Sequence, residues 1–179
     1  MNLPIKKNHV VIRNDKNFLL DYSNTLEIPI GHHPGSFGYT RKHHIHEGID
    51  LYCLVNEPVY AIKSGIVVSI GPFTGDLAGS PWWNDTQYLM VASDGLTLNY
   101  GEIKICDGIN LGTNILASQL IGCVATVLKV DKGRPTSMLH LEMYTPGART
   151  PIKQWVDLRP IELLDPTKLI LNLANLNLK

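Results

Sequence analysis

The feature that most narrows the fold is a series of short segments rich in Val, Ile and Tyr, at residues 59–62, 66–70, 88–92 and 96–100, separated by Gly, Pro, Asn or Asp. β-Branched and aromatic side chains suit a pleated, half-buried surface, and breakers at this spacing mark turns. The pattern predicts an all-β domain built mainly of antiparallel sheet. Ser93-Asp94-Gly95 supplies a hairpin turn between the last two segments. Residues 138–144 alternate with period two. Met138, His140, Glu142 and Tyr144 share one face, and Leu139, Leu141 and Met143 share the other. One face is therefore expected to be core and the other to carry chemistry.

The chemistry concentrates in two blocks, His46-Glu47-Gly48-Ile49-Asp50 and Met138-Leu139-His140-Leu141-Glu142. Imidazole nitrogen and carboxylate oxygen are ordinary zinc ligands, and catalytic zinc sites keep three protein ligands and one open position. Gly48 lets the backbone turn between His46 and Asp50 without a side chain in the way. An H-x-G-x-D run alone also fits a polar loop entering a strand; the second block shifts the balance. His32, His33, His43 and His44 form another group. None of them stands four positions before an Asp, so they are expected to be solvated loop imidazoles, with a substrate-side role for His43 or His44 as the sharper alternative. Arg41 is placed to orient a carboxylate near the site.

The run HEGIDLYCLVNEPVYAIKSGIVVSIG resembles the first block of the lysostaphin/LytM-type zinc peptidases of bacterial cell walls, which reads H-x-G-x-D, an apolar strand, G-T-P-V-x-A and a G-x-V-V strand. LNYGEI resembles the family's Y-x-H-L, and SMLHLEMY its closing H-L-H-F-E. GTNILASQLIG resembles its G-x-x-V-x-x-G-Q-x-I-G turn, with Ser118 in place of the second Gly. The blocks come in the family's order between about Arg41 and Leu169. The resemblance implies a barrel-like LytM-type domain over residues 41–179, preceded by an N-terminal extension and loop over 1–40. It also implies one Zn2+ held by His46, Asp50 and His140, and peptide cross-links or stems of peptidoglycan as substrate.

Two positions depart from that pattern. Where the family places imidazoles that flank the reacting centre, this chain has Glu102 and Met138. The combination YGEI with MLHLE resembles a divergent branch. Glu102 is then the only matched residue able to move a proton, and so the candidate catalytic base. A supporting carboxylate that orients a ligand imidazole is the competing role. Met138 cannot donate to an oxyanion, a loss typically worth about 10²–10³ in rate, unless Tyr144, His43 or His44 substitutes. The alternative function is a catalytically impaired zinc-binding module that binds cell wall or regulates another hydrolase. A third keeps only the fold, with His140 packed as a polar core residue and no metal.

Sixteen Lys and Arg balance sixteen Asp and Glu over 179 residues, with no basic cluster. Nucleic acid and an anionic membrane surface are thereby disfavoured as partners. Oligomeric state is left open. Cys53, Cys106 and Cys123 lack C-x-x-C spacing and are expected to be buried free thiols. No apolar stretch has the length of a signal peptide or of a membrane span, so the chain is expected to be synthesised as a soluble cytoplasmic protein that acts in the periplasm or on the cell wall after non-classical export. A long loop over residues 71–86 carries Trp82 and Trp83, which either contact sugar or peptide or cap the core. Residues 151–159 are expected to run over the surface. Asp165-Pro166-Thr167 starts a final helix whose Leu169, Ile170, Leu173 and Leu176 lie at core-facing spacing.

Overall fold

The predicted segments form strands in the computed structural model, which describes residues 2–131 and 133–177, residues 176 and 177 by backbone alone. In chain order the strands are β1 (His9–Arg13), β2 (Thr25–Pro29), β3 (Ile49–Tyr52), β4 (Pro58–Tyr60), β5 (Gly65–Thr74), β6 (Thr86–Ser93), β7 (Leu96–Ile105), β8 (Asn114–Ile115), β9 (Leu120–Val124), β10 (Met138–Tyr144) and β11 (Leu163–Leu164). A helix, α1 (Thr167–Asn177), follows. The sheet runs β1-β2-β3-β10-β7-β6-β5-β8; β11 pairs with β10, and β9 pairs with β4 and β7. Every pairing is antiparallel except β1 with β2, and the sheet is open. No described helix is long and apolar enough to cross a membrane.

Two strands are longer than the sequence suggests. β5 continues through Gly71 and Pro72, which stay in register with Tyr88 and Gln87 of β6. Pro72 is tolerated because β8 pairs with β5 only at Gly65 and Ile66, so the missing N–H falls on an unpaired edge. The tryptophan loop shrinks accordingly to residues 75–85. β7 continues through Tyr100-Gly101-Glu102 and changes partner there: residues 97–101 pair with β10, and 103–105 pair with β9. Glu102 sits at the change with φ 62°. A side chain in the left-handed region costs roughly 1–2 kcal/mol. Ser118 takes the same region at φ 65°, so the turn survives its departure from Gly.

The main core gathers Ile49, Leu51, Leu89, Val91, Leu98, Tyr100, Leu139 and Leu141 from the central strands. Leu3, Ile5, Leu26 and Ile28 from the N-terminal stretch join it, as do Ile170, Leu173 and Ala174 of α1. Asp165 caps the helix, its Oδ1 accepting the Thr167 N–H at 2.8 Å. The Leu176 side chain lies outside the described residues. The face of β10 expected to carry chemistry is buried like the core face: Met138, His140, Glu142 and Tyr144 are all covered. Their cover includes residues 151–159, which do not merely cross the surface. Trp155 is buried, its carbonyl accepts the Ile45 N–H at 2.6 Å, and its own N–H donates to Glu47 Oε1 at 3.0 Å. Of the three free cysteines only Cys53 is buried; Cys106 and Cys123 are half-buried.

Candidate metal centre

The antiparallel ladder sets His140 of β10 directly opposite Asp50 of β3, and the turn through Gly48 brings His46 beside both. The Gly48 requirement is steric. A Cβ there would lie 2.6 Å from the Leu141 carbonyl oxygen and 2.8 Å from His140 Nε2. His46 Nε2 is 3.1 Å from Asp50 Oδ1 and 3.2 Å from His140 Nδ1, and His140 Nδ1 is 2.8 Å from Asp50 Oδ1. All three residues are buried.

Hydrogen bonds on the far side of each ligand fix which atom faces inward. His46 Nδ1–H donates to the Ser36 carbonyl at 2.8 Å, which leaves the Nε2 lone pair pointing into the site. His140 Nε2–H donates to Glu142 Oε1 at 3.2 Å, which leaves Nδ1. Arg41 donates to Asp50 Oδ2 at 2.6 Å and leaves Oδ1. Two imidazole lone pairs and a carboxylate oxygen thus converge with no hydrogen of their own between them. Such a set repels itself unless a proton or a cation sits at its centre. Nitrogen and oxygen ligands about 2.0–2.1 Å from a tetrahedral zinc lie roughly 3.3 Å apart, close to the separations here. The donor set fits the ion.

Electrostatics point the same way. Burial pushes the His46 imidazole down to about 4, aided by the Arg41 charge, so it is neutral and free to donate its lone pair. Burial disfavours the Asp50 charge, but His46, Arg41 and, where no ion is bound, a proton shared with His140 outweigh it and hold the carboxyl well below the usual range. Burial lowers His140, but its bonds to Asp50 and Glu142 outweigh that and raise it; it is where a proton would reside without an ion.

Around the ligands, Glu142 is the residue sequence reasoning missed. It is 1% exposed, and its Oε2 accepts from Asn99 Nδ2 and the Tyr144 hydroxyl, each at 2.7 Å. Standing two residues from His140 on the same strand face was the available signal. Tyr144 is fully buried, so it steadies Glu142 from behind and its proton is not available to an oxyanion. Phe73 of β5 packs on the His140 ring at 5.2 Å and occupies the space over Gly101.

Glu102 is buried beside the ligands, and its Oε2 has no hydrogen-bond partner among the described residues. Burial, reinforced by the Asp50 charge, raises its carboxyl to about 8. Met138 is buried in a cluster with Tyr22, Tyr52 and Val127. His44 is half-buried, with Nε2 3.9 Å from Glu47 Oε2, and burial together with Arg41 lowers its proton affinity. His43 is exposed. His33 is not the expected solvated imidazole: it is fully buried, with Nε2 2.9 Å from Glu27 Oε1. The tryptophans divide. Trp82 is 64% exposed, and Trp83 packs against the Met138 cluster.

No protein-family model matches this chain, and no curated protein is significantly similar to it in sequence. Solved structures do match. The catalytic domain of the antimicrobial peptidase lysostaphin from Staphylococcus simulans superposes with TM-score 0.51 and 17% identity, over 76% of this chain and 88% of that one. The chain has the fold of the lysostaphin catalytic domain. Whole lysostaphin matches with the same TM-score and identity over 77% of this chain and 48% of its own. LytU matches at TM-score 0.50 and 15% identity, over 77% of this chain and 81% of that one. The expectation of a mainly antiparallel LytM-type β domain with a C-terminal helix therefore holds.

Proposed function

We propose that this protein is a zinc-dependent peptidase acting on peptide cross-links or stems of peptidoglycan, reached on the cell wall or in the periplasm after export. The observation that carries the proposal is the convergence of His46, Asp50 and His140 on one point, with their proton-bearing atoms turned outward. The lysostaphin fold and the matched sequence blocks supply the substrate class. Zinc held by these three residues would polarise a substrate carbonyl and acidify water.

The chain's own residues supply the rest. Arg41 keeps Asp50 ionised and directs Oδ1 inward; Glu142, braced by Asn99 and Tyr144, fixes the His140 tautomer. Glu102 is the carboxyl left to take a proton from water and pass it to the departing amine. Its burial beside the ligands, with one carboxyl oxygen left without a partner among the described residues, is what supports that role. His44, which feels the charges of Arg41 and Asp50, and the exposed Trp82 are the candidate substrate contacts.

A second reading is a zinc-binding module that recognises cell wall or regulates another hydrolase without cutting. The burial of Met138 favours it, because no donor enters the site from that position. Metal content and digestion separate these readings. The protein purified without chelator should carry close to one zinc per chain, and His140→Ala should carry almost none. Peptidoglycan digested with the parent should release new amino termini. Zinc without cleavage on several peptidoglycan types would establish the module; equal, near-zero metal in both proteins would refute the metal centre.

A further inference from the structure

Behind the ligands lies a buried polar group that the chemistry above does not use. Glu27 on β2 and His33 in the loop beyond it are both fully buried. Glu27 accepts from the Tyr22 hydroxyl and from the Leu19 N–H. His33 Nε2–H donates to the Asn17 carbonyl at 3.2 Å, and Glu27 Oε1 lies 2.9 Å from the same nitrogen, a close electrostatic contact rather than an aligned hydrogen bond. The proton therefore sits on Nε2, and Nδ1 keeps a lone pair. Gly35 N–H donates to that lone pair at 3.1 Å.

The segment anchored this way feeds the metal centre directly. Ser36 donates through N–H at 3.0 Å and through Oγ at 2.7 Å to the His33 carbonyl. Arg41 donates to the Pro34 carbonyl at 3.2 Å. The next two carbonyls are given to ligands: Gly35 O accepts the Asp50 N–H at 2.9 Å, and Ser36 O accepts His46 Nδ1–H. The fit is close, because a Cβ on Gly35 would lie 2.7 Å from the Tyr52 ring and 3.1 Å from Asp50 Cβ. A rotated or doubly protonated His33 would leave Gly35 N–H buried without an acceptor and release both carbonyls from their positions.

We propose that His33, locked in one tautomer by Glu27 and Asn17, is a positioning residue that sets the orientation of His46 and Asp50 through the Gly35-Ser36 backbone. It touches neither ligand. The inference rests on His46, Asp50 and His140 being metal ligands, and its test keeps the two apart.

Three variants separate the contacts. His33→Leu removes both, His33→Asn keeps an acceptor near the Nδ1 position, and His33→Gln reaches towards Glu27 but offers Gly35 nothing. Zn2+ affinity, measured by competition with a chromophoric chelator, should fall about 10–100-fold in His33→Leu. It should be largely restored in His33→Asn and not in His33→Gln. The visible band of the Co2+-loaded protein should shift in the same order. Val91→Ala, in the core of β6, should lower the melting temperature without moving either readout. Affinity unchanged in His33→Leu overturns the inference, and so does an equal loss in His33→Asn and His33→Gln, or an equal loss in Val91→Ala. If His33→Leu does not fold, the Asn and Gln variants decide. A parent that binds no Zn2+ instead refutes the metal centre, and the inference with it.

Discussion

Gly48→Ala puts the geometry of the centre to a test in which two well-understood effects have opposite signs. The φ of Gly48 lies outside the left-handed region, so alanine meets no conformational penalty there. Considered alone, the change should stabilise by about 0.4–1 kcal/mol by restricting the unfolded chain. Packing opposes it. The new methyl would lie 2.6 Å from the Leu141 carbonyl oxygen, where ordinary contact begins at 3.4 Å, so roughly 0.8 Å must be found against backbone. Leu141 is held opposite Ile49 in the β3–β10 ladder, and the atoms at 2.8 and 2.9 Å belong to the His140 ring. Either the ladder spreads at its end or the imidazole swings off Glu142. Overpacking of this kind typically costs about 1–3 kcal/mol, which outweighs the chain-entropy gain. In a domain of this size that lowers the melting temperature by roughly 2–4 °C per kcal/mol. Loss of the Glu142 contact should weaken zinc by about 10–100-fold. Calorimetry with and without chelator, and competition titration, measure the two effects. A variant as stable as the parent or more so, with unchanged zinc affinity, would refute the close packing argued for this turn.

Glu142→Gln keeps the shape of the support but weakens its pull on His140 Nε2–H, so zinc affinity should fall about 10-fold or more; an unchanged dissociation constant would remove Glu142 from the centre. Glu102→Gln should cut turnover by about 10² or more with zinc retained if Glu102 moves the proton, whereas weakened metal binding with activity restored by added zinc would mark it as a support. The same variant tests the burial of that carboxyl in chelator-treated protein. The folded state holds the Glu102 proton to about pH 8, while the ordinary value is 4.5, so the unfolded chain binds fewer protons over that window. Stability should fall as pH rises through it. Urea midpoints between pH 5 and 9 should decline less steeply in Glu102→Gln, and parallel declines would refute the raised carboxyl.

The strand pattern and the grouping of His46, Asp50 and His140 could be read from the chain because they rest on local rules. Period-two alternation located β10, and the spacing of His46 and Asp50 stated a chemistry that the ladder completed by placing His140 opposite Asp50. What escaped depended on distant partners. His32 and His33 are adjacent and alike in sequence, yet one is exposed and the other buried, and the difference is the carboxylate of Glu27 on β2. Nothing local marks Trp155 as cover for Glu47, or Gly101-Glu102 as the place where a strand exchanges β10 for β9. Those outcomes follow from contacts between residues far apart in the chain.

The exchange at Glu102 bears on why the two departures from the family pattern occur where they do. None of the hydrogen bonds that orient His46, Asp50 and His140 involves residue 102 or 138: the anchors are Ser36, Arg41 and Glu142. The ligand scaffold can therefore keep its form while the proton chemistry beside it changes. Met138 accepts the change at little cost, because its methylene and thioether groups pack with Tyr22, Tyr52 and Val127. Glu102 does not. It sits in the left-handed region, is buried, leaves one carboxyl oxygen without a partner among the described residues, and lies close enough to the Asp50 charge for the two to oppose each other. Each of these is destabilising, and a glycine or an apolar residue would relieve most of them. That such a residue stands within reach of the candidate ligand set is what supports the proposal that Glu102, rather than a neighbouring imidazole, moves the proton.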